Sequence, residues 1–366
     1  MKLRRKIISL ALLAIITCLL YFCLPQNTNL IPGYDRYVFY PFQSIRGRWF
    51  GAFPFSIGDI IYIICGIWLL VTLIRWVRYL FRFRQYKELL AISVVRTMCT
   101  ILFAYLFFII GWGANYYKPS LGKSWGLSFS AYQDGKKNDS VSLIAFNQFL
   151  VNKLNAYAPH YHYLPFKNIN EQSKEYYRLY TDSKVKLHGL EVKPTLFGYF
   201  VERIAADGYY NPFTGEGQVN TDLPSFVMPF LICHEMAHQA GIAAEGDANL
   251  MAYALGTITD DSTFNYSSYL NIWFYANYRL YHRDSVMAKK FESQLNKLTK
   301  AHIDTLEQLS IKYQNSMTHY SKELYDDYLK MQNQKEGIRS YSNVAASAWQ
   351  LEQSRMSGIK GLVRIP

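Results

Sequence analysis

The chain has 366 residues and a formal net charge of +12, room for roughly two or three domain-sized units. The excess of Lys and Arg falls largely beside apolar segments, so it reads as lipid headgroup contact and topology, not as nucleic-acid binding, for which no module is recognisable. Of five cysteines only Cys233 lies in the C-terminal two thirds, which excludes a disulfide scaffold there.

Residues 7–24 are uncharged and follow the basic run Met1-Lys-Leu-Arg-Arg-Lys6, the pattern of a first membrane helix. The Pro-Gln-Asn-Thr-Asn that comes next has no small-x-small cleavage site, and Cys23 lies in no lipobox, so an uncleaved anchor is expected. Two further apolar segments complete three expected transmembrane helices, at about 7–24, 58–76 and 97–114. The stretch between the second and third carries Arg75, Arg78, Arg82, Arg84, Lys87 and Arg96 against Glu88. The positive-inside rule therefore places it in the cytoplasm as a loop, with the N-terminus, and everything after about 115 outside. Arg36, Arg46 and Arg48, in the loop expected before the second span, weaken that bias without reversing it. The expected organisation is a membrane region, 1–114, and one extracytoplasmic domain, 115–366.

The second region is mixed polar and apolar, rich in Tyr, and without repeats. Helix-like spacing of apolar residues covers 146–156 and 169–180, and a packing stripe runs through Leu295, Leu298, Leu309, Tyr313, Met317, Tyr320, Leu324 and Tyr328. Turn formers in Gly208-Tyr-Tyr-Asn-Pro-Phe-Thr-Gly215 predict a hairpin with an edge strand ending at Asn220, where backbone pairing could hold an extended peptide. Thr221-Asp222-Leu-Pro224 reads as a helix start, with Pro229 either kinking that helix or marking its true beginning.

His234-Glu235-Met236-Ala237-His238 decides the chemistry. On a helix, residues i and i+4 share a face, so both imidazoles can reach one zinc ion while Glu235 sits beside it as general base. Gly241 ends this helix and a second one begins near Ala244. Ala244 stands where a metzincin would need a ligand, which disfavours that class. Glu245 and Asp247 are the candidate third ligands. Glu245 is preferred because Asn249 lies one turn along the same face, placed to hydrogen-bond an imidazole or the ligand carboxylate; Asp247 is the fallback.

In these residues the sequence resembles a bacterial family of membrane-anchored, zincin-like proteins, domain-of-unknown-function family 3810. The resemblance is carried by Phe55-Ser-Ile-Gly-Asp59, Tyr210-Asn-Pro-Phe-Thr-Gly-Glu216, Val219-Asn-Thr-Asp222, Cys233-His-Glu-Met-Ala-His-Gln239 and Glu245-Gly-Asp-Ala-Asn249. Members usually have an acidic Glu-Asp-Glu before Ala-Asn, where this chain has Glu245-Gly246-Asp247. The resemblance implies a mainly α fold, three N-terminal transmembrane helices followed by a mostly helical zincin-like α+β domain with a small edge hairpin, in the bacterial cytoplasmic membrane. It implies Zn2+ as cofactor. The Glu-x-x-Ala-Asn element also looks like the Glu-x-x-Ala-Asp of integral-membrane gluzincin peptidases, pointing to a peptide or protein substrate.

Two functions compete: a zinc metallopeptidase, and a non-catalytic zinc-binding membrane sensor or scaffold. A structural site has no need of Glu235. Tyr341, in a turn-rich segment, is a candidate oxyanion donor. His282, His302 and His319 read as structural or exposed, and Cys233 as a small core residue.

Overall fold

The structure is a computed structural model that describes residues 2–23, 28–127, 137–180, 189–204, 206–313, 323, 326–327, 329–331 and 340–357. It is mostly helical, with one small sheet. α1 (Lys2–Cys23) packs along α5 (Phe83–Gly111), which also packs on α4 (Ile57–Phe81). All three are long and apolar enough to cross a membrane. Their outward faces, for example Ile15, Ile67 and Phe103, are exposed large hydrophobics, which a helix in water would bury.

The basic stretch expected as a loop is helical: only Arg82 separates α4 from α5. Arg75, Arg78, Arg84, Lys87 and Arg96 extend the helices past their apolar cores. The segment before the second span is helical too, running without a break through α2 (Ile31–Tyr34), a π-helical turn (Asp35–Phe39) and α3 (Tyr40–Phe50).

Beyond α6 (Leu121–Ser124), the remaining helices build the main core. α7 (Lys137–Tyr157) packs on α12 (Ser262–Tyr281), and α8 (Phe166–Tyr180) on α10 (Met228–Gln239). α11 (Glu245–Ile258) is enclosed by α10, α12 and α15 (Ser340–Met356). Between β1 (Val192–Pro194) and β2 (Gly208–Asn211) lies α9 (Gly198–Arg203); β3 (Glu216–Val219) follows. α13 (Ser285–Ser293) and α14 (Lys297–Tyr313) flank the core. Leu150, Ile232, Met236, Leu250, Tyr253 and Phe264 are fully buried in it. α10 is buried almost all round, its polar His234, Glu235, His238 and Gln239 included.

The helix expected to start at Thr221–Pro224 begins instead at Met228. Pro229 occupies its first turn, where a missing N–H costs nothing. The hairpin is as expected, closed by an Asx turn in which Asn211 Oδ1 accepts from the Phe213 and Thr214 N–H groups. Its second strand, however, is central. β3 pairs antiparallel with β2 and parallel with β1, so Val219 is paired on both sides and offers no free edge to a peptide. The parallel β1 was invisible in the sequence because three residues carry no period. Of the packing stripe, Leu298, Leu309 and Tyr313 lie on α14, whereas Met317, Tyr320, Leu324 and Tyr328 fall outside the described residues.

Candidate metal centre

The centre is built by two helices and the turn between them. α10 ends in a Schellman arrangement: Gly241 N–H donates to His238 O (2.9 Å) and Ile242 N–H to Ala237 O (3.1 Å). Gly241 has φ +88°, and a Cβ there would stand 2.5 Å from the Phe39 ring, so only glycine fits. The reversal puts Ala244 at the N-cap of α11 and Glu245 at its first position, facing back to the histidines.

His234 Nε2 and His238 Nε2 are 3.1 Å apart, and Glu245 Oε2 lies 3.2 Å from the first and 3.6 Å from the second. His238 Nδ1 is 2.7 Å from Ile242 O. A carbonyl only accepts, so Nδ1 carries a proton, and Nε2, facing the centre, is the nitrogen a metal ion would take in exchange for a proton. These three buried residues each offer one metal-ligand atom, all within 4.8 Å of one another. Ligands at about 2.0–2.2 Å in a tetrahedron stand about 3.3–3.6 Å apart, and the observed 3.1, 3.2 and 3.6 Å come close to the spacing that three ligands of one zinc ion need.

Burial lowers the His234 pKa. Burial also disfavours charge on His238, but the Glu245 and Glu235 carboxylates outweigh it and lift His238 to about 9. Glu245 is held well below the usual carboxylate range, His238 and His234 overcoming its desolvation. Glu235 differs. Burial pushes it up to about 8, and its Oε2 is buried without a hydrogen-bond partner. An orphaned buried acceptor is costly, and this one lies beside the ligand triangle.

The hairpin lies directly over Glu235. A Cβ on Gly208 would stand 2.6 Å from Glu235 Oε1, and one on Gly217 3.1 Å from Glu235 Cβ, so the two glycines make the carboxylate's space. Trp112 and Tyr210 close the side by His238, with ring centroids 6.2 and 6.4 Å from the imidazole. Gln239 donates to Glu191 O (3.0 Å) and Gly215 O (3.1 Å), tying the end of α10 to the sheet.

Asn249, one turn beyond Glu245, brings its side chain next to His234. Asp247 turns elsewhere: its carboxylate accepts from the Leu121 and Gly122 N–H groups at the start of α6, while burial raises it to about 6. Tyr341 is in the first turn of α15 rather than in a loop, and its side chain lies outside the described residues. His302 stacks on Phe226 at 3.9 Å and hydrogen-bonds Tyr266, His282 caps the end of α12, and Cys233 is fully buried. His319 falls outside the described residues.

Sequence reasoning missed the joint that carries the hairpin. Ser56 caps α4. Asp59 accepts from Leu196 N–H (2.8 Å) and Tyr209 O–H (2.6 Å), and Glu216 accepts from the Ile57 and Gly58 N–H groups while paired with Lys193 at 2.7 Å. A Cβ on Gly58 would stand 2.4 Å from Asn211 Nδ2. The signals were the motifs Phe55–Asp59 and Tyr210–Glu216 themselves, and nothing in the chain shows that two segments about 150 positions apart meet. Tyr275 of α12, beside Asn249 and Glu245, gave no signal among 31 tyrosines.

No curated protein and no solved structure matches the chain. A family model described as "Protein of unknown function (DUF3810)" matches residues 34–346, which takes in the joint, the hairpin and both helices of the centre, and the chain belongs to that family.

Proposed function

We propose that the protein is a membrane-anchored, zincin-like zinc hydrolase, most simply a metallopeptidase, with its C-terminal region outside the cytoplasmic membrane. The observation that carries this reading is the pairing of a ligand triangle at tetrahedral spacing with the unsatisfied Glu235 carboxylate. His234, His238 and Glu245 would hold Zn2+. When bound, zinc supplies Lewis acidity, polarising the scissile carbonyl and bringing the pKa of water at its open position to about 7. Glu235 Oε2 takes one proton from the attacking water as its oxygen bonds to the carbonyl carbon. It then delivers that proton to the leaving amine as the C–N bond breaks. A purely structural zinc site would close its fourth position with protein and leave no reason for a buried, unpartnered acid. The basic ends of α4 and α5 support an orientation with that end in the cytoplasm.

The test compares Glu235→Gln and His234→Ala with the wild type for zinc content and for the peptides released in intact cells. Glu235→Gln should retain zinc and lose turnover by roughly 100-fold or more; His234→Ala should lose both. Unchanged turnover in Glu235→Gln would favour the sensor or scaffold.

A further inference from the structure

Apart from its exposed Arg48, α3 has its polarity turned inside out. Gln43 and Arg46 are 3% and 2% exposed, whereas Ile45 and Trp49 are 55% and 73% exposed. A surface helix in water does the reverse. The polar face is occupied: the Arg46 guanidinium donates to Gln43 Oε1 (2.7 Å), Tyr210 Oη (3.2 Å), Gly111 O (3.4 Å) and Pro212 O, and Gln43 donates to Gly215 O (2.9 Å). Those partners are the hairpin over Glu235 and the end of α5. The apolar face continues into Tyr37 and Phe53, 72% and 44% exposed. Between α3 and α5 runs an apolar groove of about 400 Å³, walled by Tyr37, Phe42 and Ile45 on one side and Phe103, Phe107 and Ile110 on the other.

The level of this helix follows from its neighbours. α4 and α5 have 25 and 29 residues, about 37 and 43 Å at 1.5 Å per residue, against about 30 Å of hydrocarbon. The excess falls at the charged Arg82 end, whereas the apolar stretches run up to Ile57 and Gly111 beside the metal centre and end there at the headgroup layer. α3 is fastened to both ends, through Arg46 to Gly111 and through Lys193, which donates to Phe50 O (2.6 Å) and to Glu216, itself the acceptor for the Ile57 and Gly58 N–H groups. An amphipathic helix at that depth has its apolar side in acyl chains.

We propose that Ile31–Phe50 and the turn to Phe53 form an interfacial element seated in the bilayer, lipid covering Ile45 and Trp49 and an acyl chain lying in the groove against α5. Its inner face grips the hairpin. The metal centre is thereby held at the membrane surface. The proposal rests on reading α1, α4 and α5 as membrane spans, and not on hydrolysis.

The experiment uses the full chain with Cys18, Cys23, Cys65 and Cys99 replaced by Ala. Bimane is attached at Trp49→Cys or, separately, Ile45→Cys, with Ile67→Cys on the exposed face of α4 and the exposed Tyr278→Cys on α12 as references. Each protein is placed in phosphatidylcholine nanodiscs with or without nitroxide-bearing phospholipid. At the roughly 5–10 Å depth of an interfacial helix, positions 49 and 45 should be quenched by the lipid nitroxide and be at least about threefold less quenched by aqueous iodide than position 278. Iodide quenching at both equal to that at 278, with 67 protected, overturns the proposal and leaves the spans standing. Protection from iodide without nitroxide quenching means that protein, such as a second copy of the chain, covers the face, and also overturns it. If position 67 is itself open to iodide, the span reading fails and the proposal with it.

Discussion

The Lys193–Glu216 pair couples the membrane-side joint to the hairpin, and breaking it should cost more than any surface ion pair would. Lys193 Nζ and Glu216 Oε1 are 2.7 Å apart, with side chains 3% and 4% exposed. Nζ also donates to Phe50 O and Phe55 O, and the carboxylate accepts from two N–H groups at the start of α4. Lys193→Met preserves the aliphatic stem but strands a buried carboxylate and two carbonyls, a loss of about 3–5 kcal/mol. Glu216→Gln keeps the shape but leaves the buried Lys193 ammonium without its counter-charge, so its cost should fall in the same range of about 3–5 kcal/mol. In the double variant the uncompensated charge is gone, so its loss should fall short of the sum by about 1–3 kcal/mol. Denaturant titration of the four proteins in one detergent, followed by tryptophan fluorescence, closes the cycle. A Lys193→Met loss below about 1 kcal/mol, the range of an exposed pair, or strict additivity, would refute the reasoning that this joint is buried and charge-coupled.

Gly208→Ala should retain zinc and lose most turnover, because the new Cβ would meet Glu235 Oε1 at 2.6 Å and Gln218 O at 2.7 Å; overpacking of this kind costs about 1–3 kcal/mol, and zinc content beside activity is the check. Glu245→Ala should abolish tight zinc binding while Asp247→Asn leaves it within about threefold, since Asp247 is engaged with α6; the reverse order in a competition titration would move the third ligand. In chelator-treated protein, Glu235→Gln should raise the melting temperature. With its carboxyl lifted from 4.5 to about 8, the folded state binds a proton that the unfolded chain has released, so this group's contribution to wild-type stability falls as pH rises from about 4.5 to 8 and levels off above. The advantage of Gln should therefore be larger at pH 8 than at pH 6, and melting curves with no such pH trend would contradict it.

Local chemistry was legible in the sequence wherever one helix carries it. His234, Glu235 and His238 lie within two turns, and the apolar runs of α1, α4 and α5 need only length and composition to be recognised. Gly241 and Ala244 announced the break and restart that turn Glu245 inward, because a left-handed C-cap and an N-terminal turn are short-range requirements. Contacts between distant segments were not legible, since nothing in a linear pattern records which polar group meets which. The basic stretch around Arg82 read as a loop because its charges hid a helix continuing beyond the apolar core. Val219 read as an edge because its partner β1 is only three residues long. Asp247 and Glu245, two residues apart and alike in charge, were ranked in the sequence through Asn249, and packing then sent one carboxylate to α6 and the other to the histidines. The inverted face of α3 likewise became visible only once Arg46 was found inside, bound to the hairpin, with Trp49 left facing out.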